Sequence, residues 1–177
     1  MPNSISKYKF IRLDFNHKLK PFDCGDNEAG IDLTDFFINQ SKDYLKQLLA
    51  VTYILETKNE TIAYYSVMND RIERTKKINK SIPNKKRYAA YPAVKIGRFG
   101  VDKDHQRENI GTQLFDYIKY SFTNNIKTGC RFITIDAYNE PNVLKFYEKN
   151  GFFYTDPEDE LEETRSMYFD LMDYVLS

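Results

Sequence analysis

The chain contains no tryptophan, two cysteines and two histidines among its 177 residues. Cys24 and Cys130 are far apart in sequence and form no CxxC pair, so we expect two buried free thiols in a reducing compartment. His17 and His105 are also far apart, and no spacing typical of a metal site is present. No apolar run approaches the ~20 residues that span a bilayer, and no signal peptide is visible. The sequence therefore predicts a cytoplasmic protein with no metal and no contact with a membrane.

Neither sign of charge is in excess, since 26 basic residues balance 26 acidic ones. This balance disfavours a chain that is basic over its whole surface, as many nucleic-acid binders are. The charge is nevertheless segregated. The basic segment, Arg71–Arg87, has eight basic residues and one acidic residue, and the acidic segment, Asp156–Glu163, has six acidic residues and no basic one.

The basic segment contains Pro83-Asn84 and has little periodicity, so we interpret it as a long surface loop, either without helix or with one short turn of helix. It is either a solvated loop or a docking surface for an acidic partner or for RNA phosphates. The acidic segment is either solvated or pairs with the basic segment of a second copy, which would favour a homodimer.

Hydrophobic residues make up 41% of the chain, including 14 tyrosines and 13 phenylalanines, which is enough for a core within one domain, 1–177. The residue patterns predict the order β-α-β-β-β-α-β-α-β-β, an α+β sheet with helices on its faces. The predicted elements are strands at Tyr8–Asp14, Leu48–Glu56, Thr61–Met68, Ala93–Val101, Arg131–Ala137, Phe152–Thr155 and Met167–Met172, one or two short helices within Ile31–Leu45, and helices at Asn109–Phe122 and Pro141–Lys149.

The stretch Gln106–Thr112 lies between a predicted strand and a predicted helix. The first amides of a helix have no intrahelical acceptor and point toward one spot, where the helix dipole adds positive potential. Such a turn can bind a pyrophosphate. Gly111 lets a phosphate approach the backbone, and Asn109 tolerates a left-handed φ where a turn would otherwise prefer glycine.

Gln106–Gly111 resembles the acetyl-CoA signature of the GNAT family of N-acetyltransferases, Gln/Arg-x-x-Gly-x-Gly/Ala, with Asn109 in place of the first glycine. The resemblance implies a mixed, mostly antiparallel sheet of six to seven strands, splayed at an acetyl-CoA slot near Val101. It also implies that main-chain groups at Phe99 and Val101 pair with the pantetheine arm and polarise the thioester carbonyl. The residues implied to contact acetyl-CoA here are Phe99, Gly100, Val101, Gln106, Arg107, Glu108, Asn109, Ile110, Gly111 and Thr112.

A second stretch, Asn139–Phe152, resembles the later GNAT motif Asn-x-x-Ala-x-x-Phe-Tyr-x-x-x-Gly-Phe. Tyr147 falls on the tyrosine that protonates the departing CoA thiolate, and a phenol of pKa ~10 can give a proton to a thiolate within hydrogen-bond reach. Either Asn139 or Asn142 matches the motif asparagine, and we assign Asn142 to the acetyl-CoA contacts. Two such motifs in the right order are a specific signal.

The resemblance implies transfer of acetyl from acetyl-CoA to a primary amine. Phe22–Asp26 and Gly97–Asp102 are further similar to the GNAT branch of aminoacyl-tRNA acetylating toxins. The alternatives are therefore a small amine, a protein amine or an aminoacyl-tRNA as acceptor, with tRNA or an antitoxin-like partner at the basic segment. A non-catalytic CoA-binding regulatory module is a further alternative.

The remaining candidates are weaker. Glu56 and Glu73 are possible general bases, although nothing in their spacing singles them out. We expect His105 to be a solvent-facing loop residue and Cys130 to be buried rather than nucleophilic. Arg98 either pairs with a carboxylate or positions the acceptor.

Overall fold

The computed structural model describes residues 5–82, 88–124, 128–156 and 158–176. Within them, seven strands form a mixed sheet in the order β1-β2-β3-β4-β5-β7-β6, in which β4 and β5 are parallel and β1–β2, β2–β3, β5–β7 and β7–β6 are antiparallel. The strands are β1 (Lys9–Arg12), β2 (Val51–Glu56), β3 (Thr61–Glu73), β4 (Ala90–Val101), β5 (Phe132–Tyr138), β6 (Phe153–Tyr154) and β7 (Thr164–Asp170). The predicted α+β fold is confirmed.

Helices connect these strands. They are α1 (Glu28–Asp35), a π-helical turn (Phe36–Gln40), α2 (Ser41–Lys46), α3 (Lys76–Ser81), α4 (Ile110–Asn124), α5 (Pro141–Lys149) and α6 (Leu171–Val175). Side-chain caps explain several starts: Asn27 accepts a hydrogen bond from the amide of Gly30 at the start of α1, and Thr75 accepts one from Ile78 in α3. Pro141 occupies the first turn of α5, where its missing N–H costs nothing.

The chain divides into two compact units, and the first comprises Met1–Met68 and Ile96–Ser121. Its core is largely aromatic. Tyr64 is fully buried and packs against Phe22 at a ring distance of 5.3 Å and against Phe37 at 4.7 Å. Its hydroxyl donates to the carbonyl of Leu33 at 2.7 Å, so this large ring is buried without an unsatisfied polar group.

The second unit comprises Asn69–Lys95 and Phe122–Ser177. Its core contains Ile72, Ile78, Tyr91, Ala93, Phe132 and Tyr168. The parallel pairing of β4 with β5 lies in this unit and joins Ala93–Lys95 to Phe132–Thr134. β5 is then paired along its whole length with β7. Gly151, with φ +84°, follows the end of α5, as its position after Lys149 predicts.

Most of the basic segment that the structure describes is not a loop, so that prediction was wrong. β3 continues to Glu73, and Lys76–Ser81 forms α3. Ile72 and Ile78 are 3% and 2% exposed, and burial of these two side chains explains why the polar stretch folds. Residues 83–87, which carry the last three basic residues of the segment, lie outside the described residues.

Most strand boundaries also differ from the predictions by a few residues, and two of these differences have a clear local cause. β2 begins at Val51 because Leu48, with φ +58°, and Leu49 belong to the turn that ends α2. β7 ends at Asp170, whose carboxylate accepts the amide of Met172 and caps α6. The two cysteines are free, as expected, but they are half-buried rather than buried.

Candidate functional site

The end of β4 presents one main-chain edge away from β3. The amide of Asp102 donates to the carbonyl of Ile62 at 2.9 Å. Because both main-chain groups of a strand residue point to the same side and alternate along the strand, those of Val101 and Phe99 point to the opposite edge. This is the edge at which the sequence predicts main-chain contacts with the pantetheine arm.

Two main-chain carbonyls on this edge accept hydrogen bonds from side chains of the same unit. The carbonyl of Gly97 accepts Nη1 of Arg98 at 2.9 Å, and that of Val101 accepts Nε2 of Gln106 at 3.1 Å. Phe99 lies between the two carbonyls, and its ring stacks on Phe115 of α4 at 4.5 Å. β4 is therefore anchored to α4 at the position expected to polarise a carbonyl.

The turn between β4 and α4 has the left-handed backbone that the sequence predicts at Asn109, and a second left-handed residue, Arg107, that was not predicted. Arg107 and Asn109 have φ values of +67° and +62°. At the start of α4 the amide of Gln113 donates to the carbonyl of Asn109 at 3.2 Å. The amides of Ile110–Thr112 therefore belong to the first turn of the helix, where no intrahelical acceptor exists. The turn can hold an anion at this end of the helix.

Gln106 is an exposed residue whose side chain is engaged within the protein. Its Nε2 donates to the carbonyl of Cys24 at 3.0 Å as well as to Val101. The thiol of Cys24 also lies 3.5 Å from the Val101 carbonyl, and burial raises the pKa of that thiol to about 11. Cys24 is therefore protonated at neutral pH and acts as part of the packing around the end of β4.

Gly100 is buried against the aromatic core. A Cβ atom at this position would lie 2.9 Å from Cε1 of Tyr64 and 3.1 Å from Cζ of Phe22. The close approach of these rings explains the glycine, because any side chain would overlap them. By the alternation along the strand, the main-chain groups of Gly100 point toward β3 with those of Asp102 and not to the edge presented by Phe99 and Val101.

Arg98 pairs with a carboxylate, which is one of its two predicted alternatives. Its Nε lies 3.4 Å from Oδ2 of Asp32 in α1, and its guanidinium lies 5.2 Å from the centre of the Phe36 ring. These contacts join β4 to α1 within the first unit. They are compatible with a structural role for Arg98.

His105 is not the solvent-facing residue that we expected. Its side chain is 21% exposed and lies between two carboxylates, with Nε2 3.5 Å from Glu60 and Nδ1 3.7 Å from Glu108. The carboxylate of Glu108 is thus directed at His105. Glu108 can take part in an anion site through its main chain.

In the second unit, Tyr147 lies on α5 and is half-buried between Phe146 and Phe152, at ring distances of 5.4 and 5.7 Å. Burial raises the pKa of Tyr147 above its ordinary value. The phenol therefore stays protonated at neutral pH. A protonated phenol within hydrogen-bond reach can donate a hydrogen bond to a departing thiolate and pass it a proton.

The two candidate asparagines near α5 have different environments. The side-chain amide of Asn139 donates to the carbonyls of Glu160 and Glu162 at 2.9 and 2.8 Å. Asn139 therefore holds the acidic segment. Asn142 lies in the first turn of α5 and is exposed.

The two candidate bases are both in ion pairs. Glu56 is 2% exposed and lies 2.7 Å from Lys20 and 3.1 Å from His17. Glu73 lies 3.1 Å from Arg71 on the surface. Neither arrangement marks a carboxylate that is poised to take a proton from an amine.

The acidic segment is partly folded. Glu158–Leu161 forms a 3-10 helix, and Asp159 pairs with Arg165 at 2.5 Å, where both side chains are mostly buried. Asp159 is therefore already paired within its own unit. Residue 157 lies outside the described residues.

Sequence reasoning missed the residues that hold the loop Asp23–Gly25. The buried Asp102 accepts the amide of Asp23 at 2.9 Å, and Asp23 pairs with Lys103 at 2.6 Å. The same loop and α1 line an open depression of about 400 Å³. Residues 23–39, which include this loop and α1, contain five acidic residues and no basic one.

Comparison with protein families gives a match over residues 50–153 to the acetyltransferase (GNAT) domain. This match includes β4, the turn, α4 and α5, and it extends over more than half of the chain. The chain belongs to the GNAT acetyltransferase family. The match therefore covers both motifs on which the predicted resemblance rests.

Solved structures share the fold of this GNAT chain at low sequence identity. A tyrosine-to-phenylalanine mutant of KacT matches with a TM-score of 0.76 and 19% identity, over 96% of this chain and 98% of that chain. The corresponding kind of mutant of the AtaT toxin, bound to the C-terminus of the antitoxin AtaR and acetyl-CoA, matches with a TM-score of 0.74 and 19% identity, over 96% of each chain. AtaT complexed with acetyl-methionyl-tRNAfMet matches with a TM-score of 0.73 and 20% identity, over 96% of this chain and 98% of that chain.

Comparison of this GNAT chain with curated protein sequences finds no match. Among the residues that the structure describes, none of the helices has the length and apolar character needed to cross a membrane.

Proposed function

We propose that the chain transfers the acetyl group of acetyl-CoA to a primary amine by direct attack of the amine on the thioester. The observation that carries this proposal is the turn before α4. Arg107 and Asn109 adopt left-handed conformations there, and the turn leads into the amides of Ile110–Thr112 at the start of the helix. Such amides bind a diphosphate without any basic side chain.

The proposed reaction forms a bond between the amine nitrogen and the carbonyl carbon and breaks the bond from that carbon to sulfur. The amine loses one proton to water or to a base, and the CoA thiolate gains one. We assign the second proton transfer to Tyr147, whose raised pKa keeps the phenol protonated and available. Main-chain groups on the edge of β4 near Phe99 are suited to polarising the thioester carbonyl.

An amine acceptor is compatible with the acidic depression of the first unit. Hydrogen bonds from Asn39 and Gln40 lower the pKa of Asp35, and contacts with Lys103 and the Gly25 amide lower that of Asp23. Both carboxylates are therefore ionised at neutral pH. Lys103 already pairs with Asp23, whereas Asp35 accepts hydrogen bonds from neutral amides and favours a cationic group nearby. The amine must still lose its proton before it attacks.

The direct test is calorimetric titration with acetyl-CoA, followed by an acetyl-transfer assay on a panel of amines. We expect saturable binding and release of free CoA thiol that depends on an amine. Binding without transfer to any amine would instead indicate the CoA-binding regulatory module. Absence of binding would contradict the proposal as a whole.

Aminoacyl-tRNA is a more specific candidate acceptor. Its support is the likeness to AtaT, which has been solved with acetyl-methionyl-tRNAfMet, together with exposed basic side chains at Arg74, Lys76 and Lys80. We expect Lys76→Ala/Lys80→Ala to weaken tRNA binding and to reduce the slope of log affinity against log salt by about two. The pair Lys46→Ala/Lys58→Ala, which is exposed elsewhere, is the matched control. Equal effects of the two pairs would leave a small or protein amine as the acceptor.

We further propose that residues 1–177 act as one acetyltransferase domain in the cytoplasm, where acetyl-CoA is available. The alignments that extend over 96% of the chain support the single functional domain.

An antitoxin-like protein is a possible partner, because the AtaT relative is bound to an antitoxin. If expression of the chain arrests growth of its host, relief of that arrest by co-expression of a neighbouring reading frame would support this partner. Sedimentation at low and high salt would detect a homodimer held by charge.

A further inference from the structure

The start of the acetyl-CoA turn is joined to the loop Asp23–Gly25 by a set of hydrogen bonds within the first unit. Asp102 accepts the amide of Asp23 through Oδ2 at 2.9 Å, and the amide of Lys103 donates to the Asp23 carbonyl at 2.8 Å. Gln106 donates to the carbonyls of Cys24 and Val101. We name the contacts of Asp102 and Gln106 with this loop and with β4 the brace.

Both members of the brace use their polar atoms on main-chain groups. The carboxylate of Asp102 is in a residue only 9% exposed, and its Oδ1 accepts the amide of Asp104 at 3.1 Å. The amide nitrogen of Gln106 is directed at two carbonyls that come from different segments of the chain. The side chain of Gln106, although exposed, is therefore directed at the loop Asp23–Gly25 and at the end of β4.

The turn needs such support because its backbone is unfavourable. Arg107 and Asn109 both have left-handed conformations, which are unfavourable for a residue with a side chain and most of all for Arg107, so surrounding contacts must hold them. α4 fixes the end of the turn, and the brace fixes its beginning. Without the brace, the amides of Ile110–Thr112 would have to be ordered when the ligand binds, at the expense of affinity.

We infer that Asp102 and Gln106 are positioning residues that preorganise the acetyl-CoA turn by fixing it to the loop Asp23–Gly25. This inference rests on the proposed function. It assigns Gln106 a role through its side chain that differs from contact with the ligand. It also assigns a role to Asp102, which carries a charge of the same sign as the diphosphate.

The sign of the Asp102 effect separates positioning from simple electrostatics. If Asp102 acted only through its charge, Asp102→Asn would remove repulsion and tighten acetyl-CoA binding. Positioning predicts the reverse, about fivefold weaker binding, because one of the two accepted amides loses its partner. The matched control is Asp14→Asn, since Asp14 accepts the amides of Asn16 and His17 at 2.7 and 2.9 Å. The control variant should bind acetyl-CoA as the wild type does.

Gln106 gives an independent test because its side chain is exposed and its replacement should not prevent folding. We expect Gln106→Met to raise the Kd and KM for acetyl-CoA about fivefold while kcat changes less than twofold. Gln106→Arg retains donors and should recover most of the affinity. Gln40→Met is the control, since Gln40 also donates through Nε2, to Asp35.

Hydrogen exchange without ligand provides the readout that a direct contact would not change. We expect faster exchange of the amides at Asp23–Gly25 and Ile110–Gln113 in Asp102→Asn and Gln106→Met. Tighter or unchanged binding in both variants, or unchanged exchange, would overturn the inference while leaving the proposed function intact. Failure of the wild type itself to bind acetyl-CoA would instead remove the proposed function.

Discussion

Arg131 and Asp170 close the second unit by a paired contact between the start of β5 and the end of β7. Nε of Arg131 lies 2.7 Å from Oδ1 of Asp170, and its Nη2 donates to Oδ2 at 2.9 Å. Nη2 also donates to the carbonyl of Ser81 at the end of α3 at 3.1 Å. Asp170 in turn caps α6 through the amide of Met172. One ion pair therefore links two strands and two helices.

Removal of one partner should be costly because Asp170 is 5% exposed. We expect Arg131→Met to lower the free energy of unfolding by about 3 kcal/mol, since it leaves a buried carboxylate without its counter-charge. Arg71→Met is the control, because the Arg71–Glu73 pair at 3.1 Å is 75% and 67% exposed and should contribute less than about 1 kcal/mol. Urea titration measures both. Equal losses would contradict the assignment of the Arg131 pair as a buried structural contact.

A second prediction concerns the glycine behind the aromatic core. Gly100→Ala places a Cβ atom 2.9 Å from Tyr64 and 3.1 Å from Phe22, and we expect it to lower the free energy of unfolding by about 1–3 kcal/mol. A Cβ atom at Gly129 meets nothing within 4 Å, so Gly129→Ala should be nearly neutral. Thermal unfolding of the two variants distinguishes these outcomes. A Gly100→Ala protein as stable as the wild type would show that the rings move aside at little cost.

Much of the fold could be predicted because its elements carry strong local signals. α5 begins and ends where Pro141 and Gly151 predict, and β3 begins where predicted, at Thr61. The prediction of a loop was wrong where the burial of a few apolar side chains determines the structure of a segment that is mostly polar. Ile72 and Ile78 lie among basic residues, so their stretch looked like a loop although both are buried. A pattern of two isolated isoleucines is too short to reveal such burial in advance.

The site was less predictable because its contacts join distant parts of the sequence. The turn before α4 could be predicted from the motif, and the left-handed φ of Asn109 confirms the expectation for that residue. The contact between Asp102 and Asp23 spans 79 positions, and no local pattern indicates it. The different environments of Asn139 and Asn142 could likewise not be predicted, because the side-chain amide of Asn139 donates to carbonyls of the acidic segment, which is distant in sequence.

Asn109 offers a test of the turn itself. Asn109→Gly keeps the left-handed conformation at no steric cost, and we expect acetyl-CoA affinity at least equal to that of the wild type. Asn109→Val should weaken binding about tenfold, because a β-branched residue at φ +62° costs about 1–2 kcal/mol. Calorimetry with acetyl-CoA measures the two variants. Asn59→Val is the control, because Asn59 lies in an exposed turn and this variant should bind acetyl-CoA as the wild type does. Asn150 is buried and is therefore unsuitable as a control position.

The proposed proton donor is tested by removing one oxygen atom. We expect Tyr147→Phe to lower kcat by about 100-fold or more, the usual contribution of a general acid, while the Kd for acetyl-CoA changes less than twofold. The half-buried ring packs against Phe146 and Phe152 in either case, so the fold should be retained. Tyr154→Phe is the control, since the Tyr154 hydroxyl lies 2.9 Å from Glu148 in the same unit. Full activity of Tyr147→Phe would remove Tyr147 from the mechanism.

The pH dependence of the wild type provides a second check on Tyr147. Its acid form is the active one, and burial raises its pKa above the ordinary value of ~10, so the active form persists as pH rises through 10. We therefore expect loss of the Tyr147 proton to lower kcat only above pH 10. Between pH 7 and 10 this group should cause no decline in kcat. Measurement of kcat in wild type and Tyr147→Phe across that range tests the assignment. A fall in wild-type kcat centred below pH 10 and missing from the variant would show that the phenol ionises within the range in which its raised pKa should keep it protonated.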